Sequence, residues 1–176
     1  MVYLSEKRLL AKSRVSENSH FSKSQLTQAR YSVFLSHSHL DKEFVYGFEQ
    51  ELKEIGISAY IDWRDASMPT ITDRKTADKI KNKIAENDLF MVLATKNALK
   101  SAWVPWEIGV ADQTKGENKI FIIPVADDSG KFIGNEYLQL YNQVIISDNK
   151  ELGVFRPNMN EGISLRKAIL KGGYYE

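Results

Sequence analysis

The sequence predicts an α/β protein built on a doubly wound, five-stranded parallel sheet of order 2-1-3-4-5 with helices on both faces. Three observations predict it. Short apolar runs alternate with segments of helical apolar spacing from residue 31 to the end of the chain. The run at residues 89–95, LFMVLAT, is apolar without alternation, as a strand buried on both faces must be. Cap and turn residues, among them Gly56, Asp73, Ser101 and Gly116, fall at the joins between runs.

In order, residues 31–36 (YSVFLS) form the first strand, β-branched and aromatic, ending in Ser36, His37, Ser38 and His39. Leu40, Phe44, Val45, Phe48, Leu52 and Ile55 recur at helical spacing, and Gly56 closes that helix as a C′ glycine. Residues 57–61 are a short second strand, followed by Asp62, Trp63, Arg64, Asp65 and a loop with Pro69. Asp73 opens a helix whose inward face is Ala77, Ile80, Ile84 and Ala85. The third strand ends at Thr95. A loop then leads to a helix capped by Ser101, with Pro105 in its first turn, where few N–H groups have helical partners. Residues 119–126 are the fourth strand, with Pro124 at an end or irregular position. Residues 144–147 form a fifth, edge-like strand, and a last helix runs from about Glu161 to Gly172. Residues 1–30 are a polar extension: Ser5 caps a short helix, and the rest reads as a solvated arm more readily than as a partner-binding helix.

Composition removes several functions. With no cysteine there are no disulfides, thiolate metal sites or cysteine nucleophile, which fits a cytoplasmic setting. A formal net charge of +1 with scattered lysines gives no footprint for nucleic acid, and no run approaches a membrane span. Phosphate-binding glycine loops and a G-x-S-x-G elbow are absent. The first strand ends in Ser-His-Ser rather than in the carboxylates of a phosphoacceptor domain. His37 and His39 can face one side of an extended segment, but no third metal ligand stands near them in sequence, so no metal is expected.

In the predicted strand order the switch point lies between the first and third strands, where α/β sheets bind ligands. Ser36, His37 and Ser38 end the first strand; Thr95 ends the third and leads to Trp103 and Glu107. Asp62, Trp63 and Arg64 end the second, alongside. Trp103 and Glu107 are four residues apart and share a helix face. A carboxylate beside an aromatic surface thus meets two polar clusters from elsewhere in the chain. Its plain alternative is a helix-start glutamate with a packing tryptophan.

The first-strand motif YSVFLSHSHLD at residues 31–41, the turn at residues 62–65 with its long following loop, and Trp103-x-x-x-Glu107 together resemble a TIR (Toll/interleukin-1 receptor) domain over residues 31–147, with the last helix included. The resemblance therefore assigns residues 31–176 to the domain and 1–30 to the extension. It is similar to bacterial members, many of which act in antiphage defence, as in Thoeris systems. The resemblance implies a flavodoxin-like fold and cleavage of NAD⁺ dependent on the motif glutamate. By position, Glu107 matches the catalytic glutamate, Trp103 the tryptophan near the nicotinamide, and Ser36 to Ser38 the loop lining the pocket. Residues 63–75 match a loop that covers the site and takes part in self-association. Here Pro69 is followed by Thr70 rather than glycine, and Pro105 and Trp106 sit inside the motif.

The chemistry expected is spare. Nicotinamide leaves NAD⁺ as a neutral molecule, so no general acid is needed, unlike ordinary glycoside hydrolysis with its two carboxylates. One carboxylate near the ribose can stabilise the developing positive charge. Trp103 can stack on a flat ring, Ser36 and Ser38 can bond ribose or phosphate, and Arg64 can pair with the pyrophosphate. The expected enzyme is thus an NAD⁺ nucleosidase or ADP-ribosyl cyclase with NAD⁺ as substrate and no cofactor. It self-associates through TIR–TIR contacts and works with a separately encoded effector or activator, since thirty preceding residues leave little room for one. The other reading is a non-catalytic interaction module acting by self-association.

Overall fold

The computed structural model describes residues 2–18, 31–66 and 73–175. Eight strands make one sheet: β1 (Leu4–Ser5), β2 (Val33–Ser36), β3 (Ala59–Tyr60), β4 (Leu89–Ala94), β5 (Ile120–Ala126), β6 (Asn142–Ile146), β7 (Leu152–Phe155) and β8 (Gly162–Ser164). Their spatial order is β3-β2-β4-β5-β6-β7-β8, with β1 on β5. The five neighbours from β3 to β6 are parallel, in the flavodoxin-like order 2-1-3-4-5 that the alternating runs predicted. The helices are α1 (Glu6–Asn18), α2 (Lys42–Glu54), α3 (Arg74–Glu86), α4 (Lys96–Lys100), α5 (Trp103–Lys115) and α6 (Leu165–Leu170).

Alternation along the buried strands feeds two cores, because successive side chains point to opposite faces of a sheet. Val33, Leu35, Leu89 and Met91 join Phe48, Leu52, Leu165 and Ile169 on the face covered by α1, α2 and α6. Phe34, Phe90 and Val92 join Ile80, Ile84, Val104 and Ile108 on the face covered by α3 and α5. α2 ends as expected: Gly56 adopts φ 78°, its N–H reaches Lys53 O at 2.9 Å and Ile57 N–H reaches Leu52 O at 2.9 Å, a Schellman closure. Asp73 caps α3 by accepting from Thr76 N–H at 3.0 Å.

Several expectations need correction. Residues 2–18 are not a solvated arm: Leu4 and Leu9 are fully buried, and β1 pairs Leu4 with Val125. Ser5 does cap α1, accepting from Arg8 N–H at 3.2 Å. Helices α1 and α2 meet at Gly47, where a Cβ would lie 2.0 Å from the Leu9 carbonyl oxygen, so only glycine permits this approach. Arg8 grips Glu51 with two bonds of 2.7 and 3.0 Å beside that contact, and Lys12 pairs with Glu54. The remainder of the predicted extension, residues 19–30, lies outside the described residues.

Leu40 is 81% exposed rather than inward, because a 3₁₀ turn at His39–Asp41 precedes α2 and breaks the helical phase. Ala85 is likewise exposed; the inward row of α3 is Thr76, Ile80 and Ile84. β6 is interior, not an edge, since antiparallel β7 and β8 follow it. The last helix starts at Leu165, the preceding residues being β8. Pro124 falls between the β6 pairing, which reaches Ile122, and the β1 pairing, which begins at Val125, so its missing N–H breaks no ladder on that side of β5.

Candidate active site

β2 lies between β3 and β4, and successive chain segments leave its two sides in opposite directions, opening a crevice at the strands' C-terminal ends. A cavity of about 740 Å³ fills this crevice, a size proper to a small-molecule site. His37, Ser38, Asp62, Trp63, Trp103 and Glu107 all line it. Residues from two strand ends and one helix, remote in sequence, are therefore brought together as the strand order predicted.

Glu107 is the centre. It sits on the second turn of α5, 6% exposed, and accepts from the Ser36 hydroxyl at 2.5 Å. Ser36 ends β2 beneath the cavity and is itself fully covered, so it positions the carboxylate rather than lining the space. Burial pushes the Glu107 carboxyl up to about 7; the Ser36 hydrogen bond and His37 oppose this, and the charge of Asp62 adds to it. The α5 start is held by Ser101, whose Oγ accepts from the N–H groups of Trp103 and Val104 at 3.1 and 3.4 Å. Helical residues begin at Trp103, which puts Pro105 third, where it removes no helical bond. Trp103 packs edge-to-face on Trp106 with centroids 5.2 Å apart, and Lys81 Nζ lies 5.8 Å from the Trp106 ring centre. Trp106 thus props Trp103 from outside the cavity.

A second cluster also lines the cavity. His37 donates from Nδ1 to the Leu35 carbonyl at 2.8 Å, and its other nitrogen lies 3.3 Å from Asp62 Oδ1. His39 Nε2 is 3.6 Å from the second oxygen of the same carboxylate. Trp63 stands edge-on to His37 with centroids 4.3 Å apart. Burial works against the charge of Asp62, but the facing histidines and the Trp63 N–H outweigh it and hold the carboxyl below its ordinary range.

Three sequence-predicted site residues do not line the cavity: Ser36, expected to bond ribose or phosphate, lies beneath it and donates to Glu107, and two others are placed elsewhere. Arg64 does not line the cavity: its guanidinium is taken by Glu49 of α2 through bonds of 2.5 and 2.9 Å and lies over the Tyr46 ring. Thr95 is buried away from the cavity, where it caps α4 by accepting from Ala98 N–H at 3.0 Å and donates to Asp41. Sequence reading missed Asn97, Lys100 and Ser101 as lining residues, along with Thr76 and Ile80 from α3. Asn97 donates to Asp41 at 2.6 Å, and Lys100 supplies the cation that Arg64 does not. Thr95 followed by a good helix former was the available signal for α4. The Pro69-Thr70 departure lies outside the described residues. Among those residues no helix is long and apolar enough to cross a membrane.

The family model for the TIR domain matches residues 33–151. A Bacillus cereus (strain MSX-D12) protein named "Probable 3' cyclic ADP-D-ribose synthase ThsB'" is 32% identical over 118 residues, 65% of this chain and 60% of that relative. A Cytobacillus dafuensis protein named "Putative cyclic ADP-D-ribose synthase TIR2" is 24% identical over 115 residues, 56% of this chain and 30% of that relative. The chain thus spans less than two-thirds of the length of either. A crystal structure of a prokaryotic SEFIR domain aligns at 16% identity with a TM-score of 0.47, covering 68% of this chain and 83% of that one.

Proposed function

The chain belongs to the TIR-domain family, and on that basis we propose that it cleaves the nicotinamide–ribosyl bond of NAD⁺ with Glu107 as its catalytic carboxylate, closing the ADP-ribosyl group into a cyclic isomer. One observation carries the reading: Glu107 is buried at the switch-point cavity, held by a hydroxyl. The names of the two relatives support the cyclic product.

The carbon–nitrogen bond breaks with its electron pair going to nicotinamide, which leaves neutral and needs no proton. The sugar carbon left behind becomes positive, and ionised Glu107 stabilises that charge in a site where few waters compete. A nucleophilic atom of the same molecule then bonds to that carbon and gives its proton to solvent; water in its place gives plain ADP-ribose. Burial raises the Glu107 pKa to about 7, so the carboxyl is partly protonated near neutral pH in the free protein. An arriving pyridinium cation favours the ionised form, so binding itself arms the carboxylate. Trp103 offers a flat face to a ring, and Lys100 and Ser101 offer charge and a hydroxyl to the pyrophosphate. In the same reading the protein self-associates on activation and its product signals to a separately encoded effector in antiphage defence.

The test is nicotinamide release from NAD⁺ with product separation, for wild type and Glu107→Gln, at low and high protein concentration. Release by wild type alone, with a cyclic isomer as co-product, is the expected result. ADP-ribose alone would make it a hydrolase. No release at any concentration from a folded, self-associating chain would overturn the reading in favour of the interaction module.

A further inference from the structure

The cavity wall also contains an arrangement to which the proposed cleavage assigns no step. His37 and His39 flank Ser38, whose backbone is extended, so both imidazoles fall on one side of the segment. Asp62 reaches them from the turn after the neighbouring strand β3. Nitrogen or oxygen atoms from all three residues lie within 4.8 Å of one another.

His37 decides what that cluster is for. Its side chain is 2% exposed, and Nδ1 spends its hydrogen on the Leu35 carbonyl. That bond leaves Nε2 as the nitrogen that faces the carboxylate. Nε2 is buried with no hydrogen-bond partner, yet it points at a carboxylate oxygen 3.3 Å away. A cation between this nitrogen and the carboxylate, whether the proton of an imidazolium or a metal ion, satisfies both groups. The spacing suits a metal ion. Two ligands about 2.0–2.1 Å from one tetrahedral ion stand roughly 3.3 Å apart. His37 and Asp62 already have that separation, and His39 is 3.6 Å from the carboxylate with a side chain 71% exposed and free to settle inward.

The surroundings have the character of a ligand shell. A metal-binding histidine commonly donates its other N–H to a carbonyl, as His37 does, and a metal-binding carboxylate is commonly hydrogen-bonded in turn. Asp62 Oδ1 accepts from the Trp63 N–H at 2.7 Å. The Trp63 ring, edge-on to His37, fixes the orientation of the imidazole. Two imidazoles and one carboxylate suit a zinc-type ion rather than magnesium or calcium, which prefer all-oxygen shells.

We propose that His37, His39 and Asp62 form a three-ligand site for a divalent transition-metal ion of the zinc type. Three protein ligands leave one coordination position, and since all three residues line the cavity, that position faces the space shared with Glu107. An anionic oxygen of a bound molecule completes the shell there. The site does not rest on the NAD⁺ reading, because it is argued from the geometry of its own three residues, although His37 and Asp62 also act on the Glu107 carboxyl.

The experiment is titration of the untagged, chelator-stripped full chain with Zn²⁺ by calorimetry and with Co²⁺ by visible absorption, without nucleotide. Expected are one equivalent per chain and the intense absorption of four- or five-coordinate Co²⁺. His39→Ala, at an exposed position that does not endanger folding, and Asp62→Asn each weaken binding at least about tenfold. His20→Ala, which alters the only other histidine of the chain, leaves binding unchanged. Binding that survives both His39→Ala and Asp62→Asn, or Co²⁺ that keeps its weak hexa-aqua spectrum, overturns the proposal. A chain that binds zinc but releases no nicotinamide upholds this site while refuting the proposed activity; the reverse result does the opposite.

Discussion

Three buried glutamates divide into two kinds. Glu49 and Glu51 on α2 are 6% and 4% exposed, and each is gripped by an arginine through two bonds, Arg64 in one case and Arg8 in the other. Glu107 is buried to the same degree, yet its hydrogen bond comes from a neutral hydroxyl. Burial raises the pKa of Glu49 too, but Arg64 and Lys53 overcome it and leave the group below its ordinary value. For Glu107 burial wins, and the pKa reaches about 7. Equal burial with opposite outcomes separates carboxylates paired with an arginine from one held only by a hydroxyl, the one that the proposed function sets against a cationic ligand.

Removing the unpaired carboxylate gives the largest expected effect. Glu107→Gln lowers nicotinamide release by about 10²- to 10³-fold. It should nevertheless stabilise the fold at alkaline pH. A native pKa raised from 4.5 to about 7 means that the folded state binds more protons than the unfolded between those values. The stability contributed is full below about 4.5 and is lost as pH rises through 7. Glu107→Gln lacks that loss, so its advantage over wild type grows by roughly 3 kcal/mol between pH 4.5 and 8, read from denaturant midpoints. A constant difference across that range would mean that the carboxylate is not held at a raised pKa.

Next in size is Gly47→Ala, which tests the paired side through its packing. In an ordinary helix this change is favourable by about 1 kcal/mol. Here the new methyl meets the Leu9 carbonyl, so the melting temperature should fall, with a cost of roughly 3 kcal/mol. Nicotinamide release per folded molecule should hold.

Arg64→Ala is expected to cost about 1–2 kcal/mol, since it strips Glu49 of its main partner while Lys53 remains 3.4 Å away. The change in nicotinamide release should stay within about twofold; a large loss would mean that Arg64 leaves Glu49 for the substrate. The smallest effect belongs to Ser36→Ala. The hydroxyl lowers the Glu107 pKa, so its removal moves the rise of kcat/KM with pH to higher pH. Near neutrality the rate drops about three- to tenfold, as expected for one hydrogen bond.

The same division explains what sequence could reveal. Unalternating apolar runs and their caps exposed the five parallel strands, and the switch-point rule then placed Ser36, His37, Ser38, Asp62, Trp63, Trp103 and Glu107 at one crevice. Arg64 was misplaced because its partner Glu49 is chosen by how α2 passes the β3 turn, which no local pattern records. Asp62 could not be joined to the two histidines for the same reason. Leu40 kept helical phase on paper, but the 3₁₀ turn at His39–Asp41 shifts it outward. β1 and β8, of two and three residues, are too short to show a period of two.

The docking of β1 has a consequence for how the chain reaches its native state. Leu4 pairs with Val125, and Val2 bridges to Ile146, so segments made early during synthesis find partners made late. On a ribosome, β1 and α1 emerge before β5 and β6 and must wait for them before their strand pairing can close. Contacts of such sequence separation carry a large loop-closure cost and slow folding. The amino-terminal segment is therefore expected to lock late, completing a sheet whose central strands are already in place.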